Sequence, residues 1–349
     1  MSSRKKELTG IAILLLGAMI WGAAFTAQTV GAKYVPPFTF LASRTWLAVA
    51  VLFPIMKMTD RRNAGAQGET GSVTDRRNAG VQGEPGSDIA GDGNEPSAGA
   101  GGLKGTGHGE RGKNPSRREL LLGGLLCGFF LFTASAAQQT GIAYTTTAKS
   151  GFITAMYVVI VPIIYAVIRR KSSLRIWISV LFAVSGLYLL CMKESLTLGF
   201  GDLITLLCAF LFSIQIMCVD RFVGRIGAVK LTLFEFLFEG VFATVCAALF
   251  EHPTKEGLIK AGFAILYAGV MSSAVGYTLQ MAGQARVNPA AASIAMSMES
   301  VFSALTGWIV LGQSLTVREI AGCAVMFTAI IIAEMPVRER KKVPEPGGA

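Results

Sequence analysis

The chain has 349 residues, of which 52% are hydrophobic and only 15% are charged. This composition is too apolar for a soluble domain of that length, so a soluble protein is excluded. The net charge of +10 could indicate a nucleic-acid partner. Whether it does depends on where the basic residues lie along the chain.

The apolar residues form ten long blocks of roughly 20 residues each, the length that an α-helix needs to cross a hydrocarbon core about 30 Å thick. They do not alternate apolar and polar residues, which excludes the strands of an outer-membrane barrel. The sequence therefore predicts an all-α polytopic membrane protein with ten transmembrane helices. The predicted spans are 9–31, 37–57, 119–142, 146–168, 174–192, 201–219, 230–250, 259–281, 288–311 and 316–335.

A polar insert, 59–118, separates the second and third spans. It contains a tandem repeat with a period of 15, in which TDRRNAGAQGETGSV from Thr59 is followed directly by TDRRNAGVQGEPGSD from Thr74. Few of its residues could pack in a core, so we predict a disordered and passive cytoplasmic insert. A regulatory or partner-binding segment is the alternative.

The basic residues indicate the orientation in the membrane. An even number of spans places both termini on one side, and with that side cytoplasmic, 25 of the 32 basic residues lie on it and 6 on the other. This is the positive-inside asymmetry of membrane proteins, so the charge reports topology and predicts no nucleic-acid partner. We expect a multi-pass protein of the inner membrane with cytoplasmic termini, including the basic tail 336–349.

The two halves of the chain share the order of their features. An offset of 191 places Trp21 over Phe212, and an offset of 141 places Gln139 over Gln280. Few residues are identical in these alignments. The agreement in the order of the features nevertheless predicts an internal repeat.

Each half contains five predicted spans. The first repeat comprises 8–58 plus 119–192, and the second comprises 200–335. Because five is odd, the second repeat must be inverted relative to the first in the membrane. Inverted repeats of this kind are typical of secondary transporters.

Four features of the sequence form a recognisable set: W21-G-A-A-F25, Arg44, Y157-V-V-I-V-P162 and SMESVFSALTGWIVLGQSLTVREIAG from 297 to 322. They resemble the EamA family of the drug/metabolite transporter superfamily, and the match covers nearly the whole chain outside the insert. The chain departs from the family pattern at Ser300, where a proline is usual, and at Gln313, where a glutamate is common.

The resemblance implies a fold of ten helices in two repeats around a central cavity. It also implies a secondary active transporter that moves a small metabolite or drug across the cytoplasmic membrane by alternating access, with export favoured. The expected partners are a small-molecule substrate and the lipid bilayer, and the protein is expected to be a monomer or a homodimer.

Ionisable side chains within apolar spans are candidate functional residues, because they cost several kcal/mol unless they face a cavity or a partner. The offset of 191 places Arg44 over Glu235, and this pair could bind a zwitterionic or charged solute or form a structural salt bridge. Glu299 could change protonation as a cavity opens to each side, which suits proton coupling, or it could hydrogen-bond between helices. Glu239 is a weaker candidate for either role.

Neutral polar and aromatic side chains are the other expected lining of a solute cavity. A dehydrated solute needs a few placed hydrogen-bond partners among apolar walls, although each of these side chains could equally join neighbouring helices. The candidates are Trp21, Gln28, Gln139, Tyr157, Gln215, Tyr277 and Gln280.

Three further residues are expected to shape the helices and their packing rather than to bind a solute. Pro162 removes a backbone hydrogen bond in mid-span and should kink the fourth helix. Gly124 and Gly128 form a GxxxG motif, which permits close contact between helices.

The sequence offers little for enzymatic or metal chemistry. The six cysteines form no CxxC pair, and the two histidines, His108 and His252, lie in the insert and in a predicted outer loop. We therefore predict no metal and no cofactor. No GxxxxGK[ST], HExxH or GxSxG motif occurs, so neither a primary pump nor an enzyme is predicted. A non-transporting scaffold or sensor with a transporter fold is the remaining alternative.

Overall fold

A computed structural model of the chain describes residues 3–79, 115–142, 144, 147–169, 173–191, 199–311 and 316–334. Every regular element in these ranges is helical. In chain order the elements are α1 (Ser3–Gly31), α2 (Pro37–Ala79), α3 (Arg117–Ile142), α4 (Thr147–Thr154), α5 (Tyr157–Arg169), α6 (Leu174–Cys191), α7 (Phe200–Ile226), α8 (Ala228–Phe250), α9 (Lys255–Lys260), α10 (Gly262–Tyr267), a π-helical segment (Ala268–Tyr277), α11 (Thr278–Gln284), α12 (Pro289–Met296), α13 (Glu299–Leu311) and α14 (Val317–Glu334).

Seven helical stretches in the described part of the chain are long and apolar enough to cross a membrane. Large apolar side chains are also open on the outside of the bundle, with Val167 73% and Val317 84% exposed. Soluble proteins rarely expose an apolar surface this large to water, so this surface is expected to face lipid. The prediction of an all-α multi-pass membrane protein is confirmed. The seven stretches are Arg4–Gly31, Pro37–Asp60, Arg117–Ile142, Ser150–Arg169, Phe200–Ile226, Ala228–Phe250 and Gly262–Gln284.

The fourth and ninth predicted spans are interrupted rather than continuous. The fourth divides into α4 and α5 at residues 155–156, and the ninth divides into α12 and α13 at 297–298. The amides of Met156 and Met298 each donate to the carbonyl three residues earlier, at 3.1 and 3.3 Å. This tighter turn ends one helix and begins the next. The count of ten spans and the inversion of the second half stay predictions.

The second predicted span continues far beyond its expected end at residue 57. α2 is one helix as far as Ala79, so the structure has helix where the sequence predicted the start of a disordered insert. Nζ of Lys230, in α8, forms an ion pair with Oδ1 of Asp60 at 2.8 Å. Asp60 lies at the point where α2 passes from its apolar residues into the polar insert. An existing helix gains one hydrogen bond for each residue that it adds, which favours the extension. The rest of the insert, 80–114, and the basic C-terminal tail lie outside the described residues.

The GxxxG motif brings α3 and α8 into close contact, as predicted. A Cβ atom at Gly124 would lie 2.6 Å from the Cβ of Phe234, and one at Gly128 would lie 2.5 Å from the carbonyl oxygen of Glu235. Real Cβ atoms do not approach other atoms this closely. The two helices therefore reach this separation because both positions lack a side chain.

Pro162 lies inside α5, which continues through it. The interruption of the predicted fourth span falls at 155–156, between one and two turns before the proline. A proline ring clashes with the carbonyl four residues earlier, so the strain that it causes lies on the same side as the interruption. The break nevertheless lies farther from Pro162 than the ring reaches, and the matching break at 297–298 has no proline after it. The predicted kink at Pro162 therefore stays a prediction.

Candidate functional site

A central cavity lined mainly by buried side chains lies where α1, α2, α3, α7, the π-helical segment, α11 and the two interrupted helices meet. It offers about 60 Å³ to the centres of water molecules, several times the roughly 10–15 Å³ that one ordered water needs. Its wall combines aromatic rings with amides, one guanidinium and one carboxyl group. The lining residues are Trp21, Phe25, Gln28, Arg44, Gln138, Thr154, Tyr157, Phe212, Gln215, Ile216, Ser272, Tyr277, Gln280, Met296 and Glu299.

The two interrupted helices meet at this cavity. Both follow the same plan, in which one helix ends at a two-residue turn and the next helix begins directly after it. Tyr157 is the first residue of α5 and Glu299 is the first residue of α13, 142 positions later. The hydroxyl of Tyr157 donates to Oε1 of Glu299 at 3.1 Å and so joins the two breaks. Irregular backbone at membrane depth is tolerated where it is buried in protein or lines a cavity.

Arg44 is the one cationic residue among the described residues that line the cavity. It is only 5% exposed. Its Nη2 donates to Oγ of Ser135 at 3.2 Å and lies 3.9 Å from Oε1 of Glu239. Its buried Nε has no hydrogen-bond partner among the described residues. A guanidinium carries five N–H donors, so Arg44 retains donors for water or a solute.

The partner of Arg44 differs from the one that the repeat suggested. The offset of 191 placed Arg44 over Glu235, whereas the ion pair is with Glu239, one helical turn farther along α8. An offset aligns equivalent positions, but contact depends on how the helices are rotated and on side-chain length. Glu239 also accepts a hydrogen bond from Oγ1 of Thr45 at 3.3 Å. The weaker candidate, Glu239, therefore forms the link between α2 and α8.

Glu235 is fully buried behind the cavity wall rather than in it. Its Oε1 accepts a hydrogen bond from Nε2 of Gln215 at 2.7 Å, and Oε1 of Gln215 accepts one from Nε2 of Gln280 at 3.3 Å. Both glutamines line the cavity. Oε2 of Glu235 has no hydrogen-bond partner within the described ranges. In those same ranges no group of three or more His, Cys, Asp or Glu side chains could hold a metal ion.

Trp21 lies along the backbone of the π-helical segment. Its Nε1 donates to the carbonyl oxygen of Ser272 at 3.1 Å, and its ring centroid is 5.0 Å from that of Tyr277 in an edge-to-face arrangement. A Cβ atom at Gly276 would lie 2.6 Å from Nε1, so glycine is required for this approach. π-helical turns are frequent at functional sites. Here the segment presents a backbone carbonyl at the cavity.

The structure brings eight of the ten predicted site residues to the cavity wall. Of the other two, Glu235 lies behind the wall. Gln139 is buried away from the cavity, and its Nε2 has no hydrogen-bond partner in the described structure. The eight residues are Trp21, Gln28, Arg44, Tyr157, Gln215, Tyr277, Gln280 and Glu299.

Seven lining residues were not predicted, and six of them are related to another lining residue by the offsets of the predicted repeat. The offset of 142 between the interrupted helices relates Gln138 to Gln280 and Thr154 to Met296. The sequence alignment used 141, which selected the neighbouring glutamine instead of Gln138. The offset of 191 similarly relates Phe25 to Ile216, which also lines the cavity. The seven are Phe25, Gln138, Thr154, Phe212, Ile216, Ser272 and Met296.

Comparisons with known proteins identify the family and agree with the fold. A sequence model of the EamA-like transporter family matches residues 8–73 and 199–335. An uncharacterized transporter of Archaeoglobus fulgidus is 28% identical over 219 residues, which cover 61% of this chain and 69% of that protein. A chain in a solved crystal structure is 14% identical with a TM-score of 0.65, over 93% of this chain and 98% of that chain, and so is similar in fold.

Together, the helical spans, the buried polar cavity and these matches define a multi-pass membrane transporter rather than an enzyme. The chain belongs to the EamA-like transporter family, whose sequence model matches more than half of it. The resemblance seen in the sequence is confirmed. Membership of this family implies a small-molecule substrate and a lipid environment.

Proposed function

We propose that the protein is a secondary active transporter that moves a small metabolite or drug across the cytoplasmic membrane by alternating access, in the direction of export. The central cavity carries this proposal. It is buried between helices and combines Arg44, Glu299 and glutamine amides with aromatic rings. Solute sites have this composition, with a few convergent polar groups that orient the ligand among apolar walls.

The contact between Tyr157 and Glu299 is the proposed point at which the two repeats separate and rejoin. In the proposed inverted architecture, α4 and α5 of the first repeat correspond to α12 and α13 of the second. Rocking one repeat against the other would open the cavity to one side at a time. A side-chain hydrogen bond between membrane helices contributes only about 0.6 kcal/mol on average. This link can therefore break and re-form during each cycle.

Glu299 is the proposed proton carrier. Its described hydrogen-bond partner is the neutral hydroxyl of Tyr157, and it has no ion pair among the described residues. The other charged groups near the cavity are Arg44, which pairs with Glu239, and Glu235 behind the wall. A buried carboxyl group that becomes hydrated when the cavity opens would exchange a proton with that side. A purely structural link between helices is the alternative role.

The proposed location is the inner membrane, with both termini in the cytoplasm. The support is the positive-inside distribution, in which 25 of the 32 basic residues lie on the side of the termini. The protein is proposed to act as a monomer or a homodimer.

Flux into liposomes tests the transport proposal. The purified full-length protein is reconstituted and screened against amino acids, amines and nucleosides, with and without a pH gradient. Movement of a solute above that in protein-free liposomes is the expected result. A folded protein that moves none of the solutes would favour a non-transporting scaffold or sensor.

The Glu299→Gln variant tests proton coupling. Glutamine can still accept the hydrogen bond from Tyr157 but cannot ionise. We expect solute exchange to persist while flux loses its response to a pH gradient. Glu256→Gln is the matched control, because the side chain of Glu256 is 78% exposed in α9. Unaltered gradient-driven flux in Glu299→Gln would exclude Glu299 as the proton carrier.

A further inference from the structure

A second cavity lies away from the central one, between the second half of α5, the start of α6 and the start of α12. It offers about 270 Å³ to the centres of water molecules, against about 60 Å³ for the central cavity. It therefore has room for a group much larger than a single water. Its lining residues are Pro162, Tyr165, Ser173, Arg175, Ile176, Asn288 and Ala290.

Arg175 is the one charged side chain among the described lining residues of this second cavity. Its Nε is buried without a hydrogen-bond partner among the described residues. None of the described lining residues is acidic. A buried N–H donor without an acceptor costs about 1–3 kcal/mol, and more when the group is charged. An acceptor that enters the cavity would remove this cost.

The start of α12 adds to the positive character of the second cavity. Oδ1 of Asn288 accepts the amide of Ala291 at 2.9 Å and caps the helix, which begins with Pro289. The amide of Ala290, which lines the cavity, belongs to the first turn, where N–H groups lack an acceptor within the helix. The helix dipole also places a partial positive charge at this end. Guanidinium and helix start therefore favour the same kind of ligand, an anion.

The surroundings of the second cavity are apolar and open. On α5, Ile168 lies one turn after Tyr165 and is 61% exposed, and on α6, Leu174 precedes Arg175 and is 76% exposed. These side chains belong to the outer surface that lipid covers. A ligand at this cavity would therefore have the hydrocarbon of the bilayer beside its anionic group. A phospholipid joins these two chemical features in one molecule, whereas a soluble anion supplies only the first.

We propose that the second cavity binds a phosphate group and that this phosphate belongs to an anionic phospholipid of the bilayer. The phosphate oxygens accept hydrogen bonds from the guanidinium of Arg175 and from the start of α12, while the acyl chains lie along the apolar side chains of α5 and α6. Basic pockets between membrane helices recognise lipid headgroups through the same charge-assisted bonds. The bound lipid ties α5 and α6 to α12. This proposal does not depend on the transported solute.

Lipid titration of the purified full-length protein in detergent tests the proposal. Phosphatidylglycerol, phosphatidylcholine and inorganic phosphate are added separately, and binding is followed by native mass spectrometry and by the midpoint of thermal unfolding. We expect phosphatidylglycerol to bind most tightly and to raise the midpoint. Arg175→Gln should weaken its apparent affinity about tenfold. Arg221→Gln removes an exposed arginine of α7 and is the matched control, for which the affinity should not change.

Equal affinity for phosphatidylglycerol in Arg175→Gln and in the unmodified protein would overturn the proposal. A midpoint raised by inorganic phosphate through Arg175, without any effect of phosphatidylglycerol, would overturn the lipid as the source and assign the cavity to a soluble phosphate. Gel filtration and circular dichroism establish that the variant is folded. If Arg175→Gln does not fold, Arg175→Lys replaces it, with an intermediate loss of affinity expected because lysine cannot form a bidentate contact.

Discussion

Removal of the Arg44 guanidinium should destabilise the protein through the carboxylate that it leaves behind. Glu239 is fully buried and lies 3.9 Å from Nη2 of Arg44, and it accepts a hydrogen bond from Thr45 at 3.3 Å. Deleting one partner of a buried ion pair usually costs about 3–5 kcal/mol, because the remaining charge is uncompensated. The long distance within this pair places Arg44→Gln near the lower limit, at about 3 kcal/mol.

Thermal unfolding of the purified protein measures this loss, and the midpoint for Arg44→Gln should fall by roughly 5 °C. The double variant Arg44→Gln, Glu239→Gln places two neutral amides at the same site. It should recover most of the loss, because no buried charge is left without a partner. Arg221→Gln, at an exposed position of α7, provides the control for loss of one positive charge.

Two results would refute this account of Arg44. A double variant that is no more stable than Arg44→Gln would show that the loss does not arise from the stranded carboxylate of Glu239. A single variant with unchanged stability would show that the ion pair contributes nothing to the stability of the fold.

Three further changes have defined outcomes. Tyr157→Phe removes the hydrogen bond to Glu299 and should cost no more than about 1 kcal/mol of stability, while liposome assays should show an altered rate of solute flux. Gly128→Ala forces a Cβ atom against the backbone of α8 and should destabilise the protein by about 1–3 kcal/mol in thermal unfolding; Gly224→Ala, with nothing within 4 Å of its Cβ position, should not. Deletion of 80–114 should leave both flux and the unfolding midpoint unchanged, and lost flux in a folded deletion variant would show that the insert is active.

Much of the helical architecture is predictable because apolar composition is a property of each segment by itself. The long apolar blocks locate most of the helices, although α2 continues far beyond its predicted end. Gly124 and Gly128 predict the close contact of α3 with α8. Polar and aromatic residues in apolar spans also identify most of the cavity wall. Their burial costs free energy unless they face a cavity or a partner, so Arg44 and Glu299 are informative without any structure.

Other features depend on distances that a single sequence does not contain. The helix break at 155–156 lies in a largely apolar stretch, and no glycine or proline stands at either break. The break at 297–298 lies among polar residues, Ser297, Glu299 and Ser300, but such residues also occur inside continuous helices and so do not by themselves predict a break. The identity of the ion-pair partner depends on the rotation of α8, which distinguishes Glu239 from Glu235. Gln138 was missed because the alignment of the halves was displaced by one position. A shift of one residue turns a helix by about 100° and exchanges a lining side chain for one that faces elsewhere.

The matching breaks at Tyr157 and Glu299 place the ends of four helices close to the central cavity. Several amides at the two helix starts already donate to a carbonyl oxygen three residues earlier, among them those of Val158, Val159 and Ser300, at 3.0, 2.9 and 3.3 Å. The main chain at the breaks therefore has few groups left for a solute. Recognition of a solute would then come mainly from side chains, so replacing Arg44 and Glu299 together is expected to remove most of the affinity for a charged solute.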